Sequence, residues 1–156
     1  MLKRLLKNER GLTLIELLAV IVILGIIAAI AIPTIGAIID NSKKDAHIAN
    51  AEQIINAARL AKTQDTSGKN SWTLNELVQG GFLESIPKSP GNKGNYDPND
   101  STVTFVPAST TTSNGNTTTT PAYYQIRLKA SNGGYYINTD NRDKITRDDV
   151  NLDPTS

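Results

Sequence analysis

From Leu17 to Ile32 no polar side chain interrupts the chain, and the apolar character resumes from Ile35 to Ile39 after Pro33 and Thr34. With Leu12 to Ile15 included, the run exceeds the roughly 20 residues that span a bilayer as a helix. A secretory signal has a shorter apolar core of about 7 to 15 residues ahead of a small-residue cleavage site. Ala28-Ala29-Ile30-Ala31 mimics such a site, but the periodicity beyond it argues for a helix that stays with the chain. After Asp40, Ile48, Ala51, Ile55, Ala58 and Lys62 recur at steps of three and four, with Lys43, Lys44, Glu52 and Arg59 among the intervening positions. That spacing predicts an amphipathic helix. One helix from Leu12 to about Gln64 is therefore expected, its first half suited to lipid or other helices and its second to a globular domain.

Beyond the helix the pattern changes period. Thr73 and Glu76 fit a capping box ahead of Leu74 to Gln79, and Gly80-Gly81 supplies a stop. Residues 87 to 100 are rich in Pro, Gly, Asn and Asp and read as turns. Thr102 to Val106, Tyr123 to Lys129 and Tyr135 to Asn138 have the β-branched and aromatic content of strands, with Asn132-Gly-Gly134 a hairpin turn. Residues 108–121, almost entirely Thr, Ser and Asn, are too polar for a core and are expected as a long exposed loop. The fold class is α+β, a long N-terminal helix packed on a small C-terminal antiparallel sheet.

Charge sharpens this picture only through its placement. The net charge is +1, which argues for neither nucleic acid nor an acidic partner. Four of the 16 basic residues, Lys3, Arg4, Lys7 and Arg10, precede Gly11 with Glu9 as the single acid there, so the remainder is net acidic. The positive-inside rule then keeps the N-terminus in the cytoplasm and carries the rest across, a single-pass N-in, C-out topology in the plasma membrane. The chain has no cysteine, which excludes disulfides and thiolate metal sites.

One carboxylate, Glu16, lies inside the apolar run. A charge at the centre of a membrane helix costs roughly 2.5 to 3.5 kcal/mol on insertion scales, and such residues are usually paired or functional.

Gly11-Leu-Thr-Leu-Ile-Glu16 follows a short basic leader and opens a long apolar helix, with Gly25 and Pro33 further along. In these residues the chain resembles type IV pilins and pseudopilins; Leu77-Val-Gln-Gly-Gly-Phe-Leu-Glu-Ser-Ile-Pro87 and Gly94-Asn-Tyr96 resemble the region after the helix in that family. The resemblance implies a leader, residues 1–11, removed by a prepilin peptidase after Gly11, and N-methylation of Leu12. It implies an assembly helix over 12–39 that uses Thr13, Glu16, Gly25 and Pro33, an amphipathic continuation over 40–64, and a head over 65–156. Two departures stand out: Leu12 replaces the Phe most often found there, and the absence of cysteine removes the C-terminal disulfide loop of many Gram-negative pilins, which points to a Gram-positive host.

Cleavage would free an α-amine whose reference pKa near 7.7 to 8.0 leaves it mostly cationic. In apolar surroundings a carboxylate and an ammonium each cost several kcal/mol unless they meet. Glu16 is therefore expected to pair with the Leu12 amine, its own or the next subunit's. The partners implied are further copies in a helical filament, the peptidase, an assembly ATPase, a membrane platform protein and minor pilins, with the subunit first in the membrane and then at the cell surface. The alternatives are a pseudopilin of a type II secretion or competence system and, from another class, a signal-anchored extracellular binding domain.

No catalytic set can be assembled, so the chain is expected not to be an enzyme and to need no cofactor. His47 is the single histidine and stands among polar neighbours. Asp140, Asp143, Asp148 and Asp149 are the oxygen ligands a calcium site would draw on. Arg142, Lys144 and Arg147 interleave with them and no Gly holds a turn position, which favours a solvated charged tail. Tyr123-Tyr124 and Tyr135-Tyr136, with Arg127 and Lys129, could stack on single-stranded nucleic acid. Tyrosines in strands more often pack a sheet face, so direct DNA binding is not expected.

Overall fold

A computed structural model describes residues 2–139 and 144–155, with side chains from 13 onward. It divides into two units, Met1–Asp40 and Asn41–Ser156. Helix α1 spans Leu2–Gln64 and ends where expected. Its start lies upstream of the expected Leu12, because the leader residues adopt helix as well.

In the second unit, hereafter the head, the inward stripe of α1 is His47, Ala51, Ile54, Ala58 and Ala61, with Ala57 beside it, all buried. This corrects the expected stripe by about one position. Ala51 and Ala58 lie at its centre, whereas Ile48 and Ile55 are only partly buried and lie on its flank. Lys62 lies on the flank too, its ammonium 5.6 Å from the Phe105 ring centroid and donating to the Lys69 carbonyl and Asn70 Oδ1 at 3.0 and 2.8 Å. Small side chains dominate the stripe, so the sheet can approach the helix closely.

The strands are β1 (Ser71–Thr73), β2 (Thr102–Val106), β3 (Ser109–Ser113), β4 (Asn116–Thr120), β5 (Tyr123–Lys129) and β6 (Tyr135–Thr139). Four of them form an antiparallel sheet in the order β1-β2-β5-β6, with a register shift at Leu128/Lys129. Alternation along each strand sends Trp72, Val103, Ile126, Leu128 and Ile137 into the core. Helix α2 (Leu74–Gln79) closes one end of that core with Leu74 and Leu77. Its capping box is formed as expected: Thr73 Oγ1 accepts from Glu76 N at 3.2 Å, and the Glu76 carboxylate accepts from Thr73 N at 2.8 Å.

The expected loop over 108–121 is corrected. It is exposed, but β3 and β4 pair there as a two-stranded antiparallel ribbon from Ser109↔Thr120 to Ser113↔Asn116. The reason is local. Asn114 and Gly115 both adopt positive φ, 51° and 79°, which fits the two-residue hairpin turn that suits strand twist. Their Thr flanks are β-branched.

Candidate functional site

In the first unit, the apolar surface of α1 is exposed along the described residues. Leu14, Ile15, Leu17, Leu18 and the large side chains from Val20 to Ile39 are exposed, and the most apolar window, of mean hydropathy 3.0, is 0% buried. At roughly 25 cal/mol per Å² such a surface cannot stay in water. It is long and apolar enough to cross a membrane.

Glu16 is exposed on this helix and has no side-chain partner among the described residues. Thr13, one turn before it, is also exposed. Gly11 and Leu12 belong to α1, and the Leu12 side chain lies outside those described. Gly25 faces open space where a Cβ would stand, with no atom from beyond its own helical turns within 4 Å. Pro33 sits inside α1 and has no N–H, so the Ala29 carbonyl loses its helical donor. One residue on, Thr34 Oγ1 donates to the Ile30 carbonyl at 2.9 Å, a contact that tends to bend helices. The ladder of α1 therefore lacks one bond in the turn from Ala29 to Pro33.

The head brings together residues that sequence reasoning kept apart. His47 is fully buried, not among polar neighbours as its position suggested, and its Nδ1 is 2.6 Å from Tyr96 Oη. The Tyr136 ring lies 4.6 Å from the imidazole, centroid to centroid. Tyr136 Oη donates to the Gly94 carbonyl and accepts from Lys93 N, both at 2.8 Å. Burial pushes the Tyr96 phenol up to about 12 and lowers His47 to about 4. The signal for His47 was its spacing, four residues before Ala51 and seven before Ile54 on one helical face.

The remaining candidates disperse. Asp140 and Asp143 lie outside the described residues. Asp148 is exposed, while Asp149 accepts from Thr146 N and Thr146 Oγ1 at 2.7 and 2.9 Å and so caps the 3₁₀ turn Arg147–Asp149. Arg147 donates both Nε and an η nitrogen to the Asp45 carboxylate at 2.6 Å, which holds that carboxyl below its usual range. Among the described residues no group of three His, Cys, Asp or Glu side chains could hold a metal. Tyr124 packs on Phe105 with the Arg59 guanidinium 5.5 Å from its ring centroid, Tyr136 is interior, and Lys129 pairs with Asp100 at 2.5 Å. Tyr124 and Tyr136 are thus engaged within the head.

The family model for the prokaryotic N-terminal methylation motif matches residues 6–32, covering the junction, Glu16 and most of the apolar run. This motif is the class III signal peptide of type IV pilins, and it implies processing by a prepilin peptidase and use of pilus assembly machinery. No curated protein and no solved structure matches the chain. The methylation motif heads an exposed helix of membrane length and an antiparallel α+β head follows, an arrangement that supports a type IV pilin-like prepilin.

Proposed function

We propose that the chain is a structural subunit of a type IV pilus or a pilus-like filament. It inserts in the membrane N-in and C-out, is cleaved after Gly11, is N-methylated on Leu12 and assembles through α1 with Glu16 facing the Leu12 amine of a neighbouring copy. The observation that carries this reading is the exposed apolar surface from Leu14 to Ile39 with one carboxylate near its start that has no side-chain partner among the described residues. Lipid covers such a surface before assembly and other copies of the helix cover it afterwards. A buried carboxylate and ammonium on adjacent helices would fix their axial register, the best-attested use of such pairs. In this reading the chain has no catalytic step and no cofactor, and its head is what the filament presents outward.

The experiment is substitution of Glu16 in full-length protein in cells. Glu16→Ala is expected to leave membrane insertion and cleavage intact and to reduce filament yield at least tenfold, with Glu16→Gln restoring little because it lacks the charge. Wild-type yield from Glu16→Ala would remove the pairing from the account.

A further inference from the structure

The ribbon of β3 and β4 adds little to the core, since all its side chains are exposed except the half-buried Thr120. It is nevertheless in register with the body of the head. Val106 pairs with Tyr123, and the same register resumes at Ser109↔Thr120 beyond Pro107-Ala108 and Pro121-Ala122. The ribbon is thus the outer end of the β2–β5 hairpin, set off by one proline in each connection, Pro107 and Pro121, which cannot donate to a ladder.

Its edges are open. A two-residue turn makes Ser113 and Asn116 the hydrogen-bonded closing pair. Alternation then turns the N–H and C=O of Thr110 and Thr112 outward on β3, and those of Thr117 and Thr119 outward on β4. Among the described residues no third strand pairs with either one. Soluble proteins normally guard such edges with charge, proline or a bulge. Here the strands pair without a register shift, and no charged residue occurs between Asp100 and Arg127.

The occupant that fits is the same strand of a second copy. Pairing about a two-fold axis sets the strand against itself, so a strand of one charge would repel its copy, and this uncharged one does not. The Thr–Thr contacts required already exist across the ribbon, Thr112 to Thr117 Oγ1 at 3.2 Å and Thr110 to Thr119 at 3.4 Å. A lone two-stranded hairpin is marginal in water, and joining two gives four strands. Copies within one helical filament are related by a screw operation, whereas a two-fold contact closes on itself, so the pairing links copies in different filaments.

We infer that the β3–β4 ribbon is a self-pairing edge through which filaments associate laterally, one copy's strand adding antiparallel to the same strand of another, centred on Thr111 for β3 or on Thr118 for β4. The inference rests on the filament reading for its setting, and the test separates the two.

The chain has no native cysteine, so single cysteines report without background. Thr111→Cys and Thr118→Cys each meet their own copy in a non-hydrogen-bonded pair, with Cα atoms about 4.5 Å apart, within disulfide reach. Full-length filaments treated with an added oxidant are expected to give covalent dimers at one of the two positions. Adding Thr110→Pro or Thr119→Pro, on the matching strand, removes an outward N–H that no bond within the ribbon uses. It is expected to cut dimer yield at least tenfold and to disperse laterally associated filaments, with Trp72 fluorescence of the head unchanged. No dimer at either cysteine, a dimer undiminished by proline, or sugar mass on residues 109–120 that sheathes the edges would overturn the inference. If no filaments form, the filament reading fails, and the same cysteines are read in detergent-solubilised full-length protein, where a proline-sensitive dimer supports the edge and its absence overturns it.

Discussion

His47 Nδ1 meets Tyr96 Oη at 2.6 Å, and both rings are buried, at 0% and 2% exposure. Asn50 Nδ2 donates to the same phenol oxygen at 3.2 Å. His47 Nε2 is buried with no partner among the described residues, so the phenol is the imidazole's one hydrogen-bond contact there. Tyr96 is reached from α1 by His47 and Asn50 and bridges to Ala130 next to β5, so this one contact ties helix to sheet.

The contact makes head stability depend on pH. Burial lowers His47 from 6.5 to about 4, so the unfolded chain binds a proton that the folded head refuses. Stability is complete above about pH 6.5 and declines as pH falls toward 4, by about 3 kcal/mol from this residue. Denaturant unfolding followed by the fluorescence of Trp72, the single tryptophan, measures it. His47→Phe keeps a ring in the site and removes the titration. The variant is expected to flatten the curve between pH 6.5 and 4, and an unchanged slope would place the acid sensitivity elsewhere.

Gly91 is the space into which Tyr136 fits. A Cβ at that position would overlap the phenol ring, whose hydroxyl is pinned between Lys93 N and the Gly94 carbonyl. Overpacking typically costs about 1 to 3 kcal/mol. Gly91→Ala is expected at the upper part of that range, whereas Gly81→Ala meets no atom and is penalised only through its positive φ of 73°. Comparing their melting temperatures with the parent checks the order.

The capping box offers a smaller effect. Thr73→Ala removes the acceptor for Glu76 N and is expected to cost about 1 kcal/mol, while Thr73→Ser keeps the cap. Equal losses in the two variants would mean that packing, not the hydroxyl, holds the start of α2.

Pro33→Ala restores a donor to the Ala29 carbonyl and removes a helix penalty of roughly 3 kcal/mol. Amide exchange in detergent-solubilised protein is expected to slow around residues 29–36. No change there would show that the turn is already as firm as the rest of α1.

What could be read from the sequence divides along the same lines as the forces. The end of α1 at Gln64, the box at Thr73 and Glu76, and strands β2, β5 and β6 rest on local periodicity and capping, which neighbours in sequence determine. The short β1 escaped because three residues carry no period; it is a strand only because Trp72 pairs with Val103. The β3–β4 ribbon escaped because its Thr residues alternate no apolar side chains, although Asn114-Gly115 between β-branched runs was a turn signal. His47, Tyr96 and Tyr136 are far apart in the chain, so only the tertiary fold unites them. The exposed apolar run of α1 was legible for the opposite reason: it needs no tertiary contact, and Glu16 inside it is visible from the sequence alone.

The central claim is that this chain is a processed filament subunit. It is tested most directly by the intact and N-terminal mass of the protein sheared from cell surfaces, with electron microscopy of the same fraction. The account predicts a chain that begins at methylated Leu12 and forms filaments. A chain that still carries residues 1–11 and never leaves the membrane would contradict it and make the head an anchored extracellular domain.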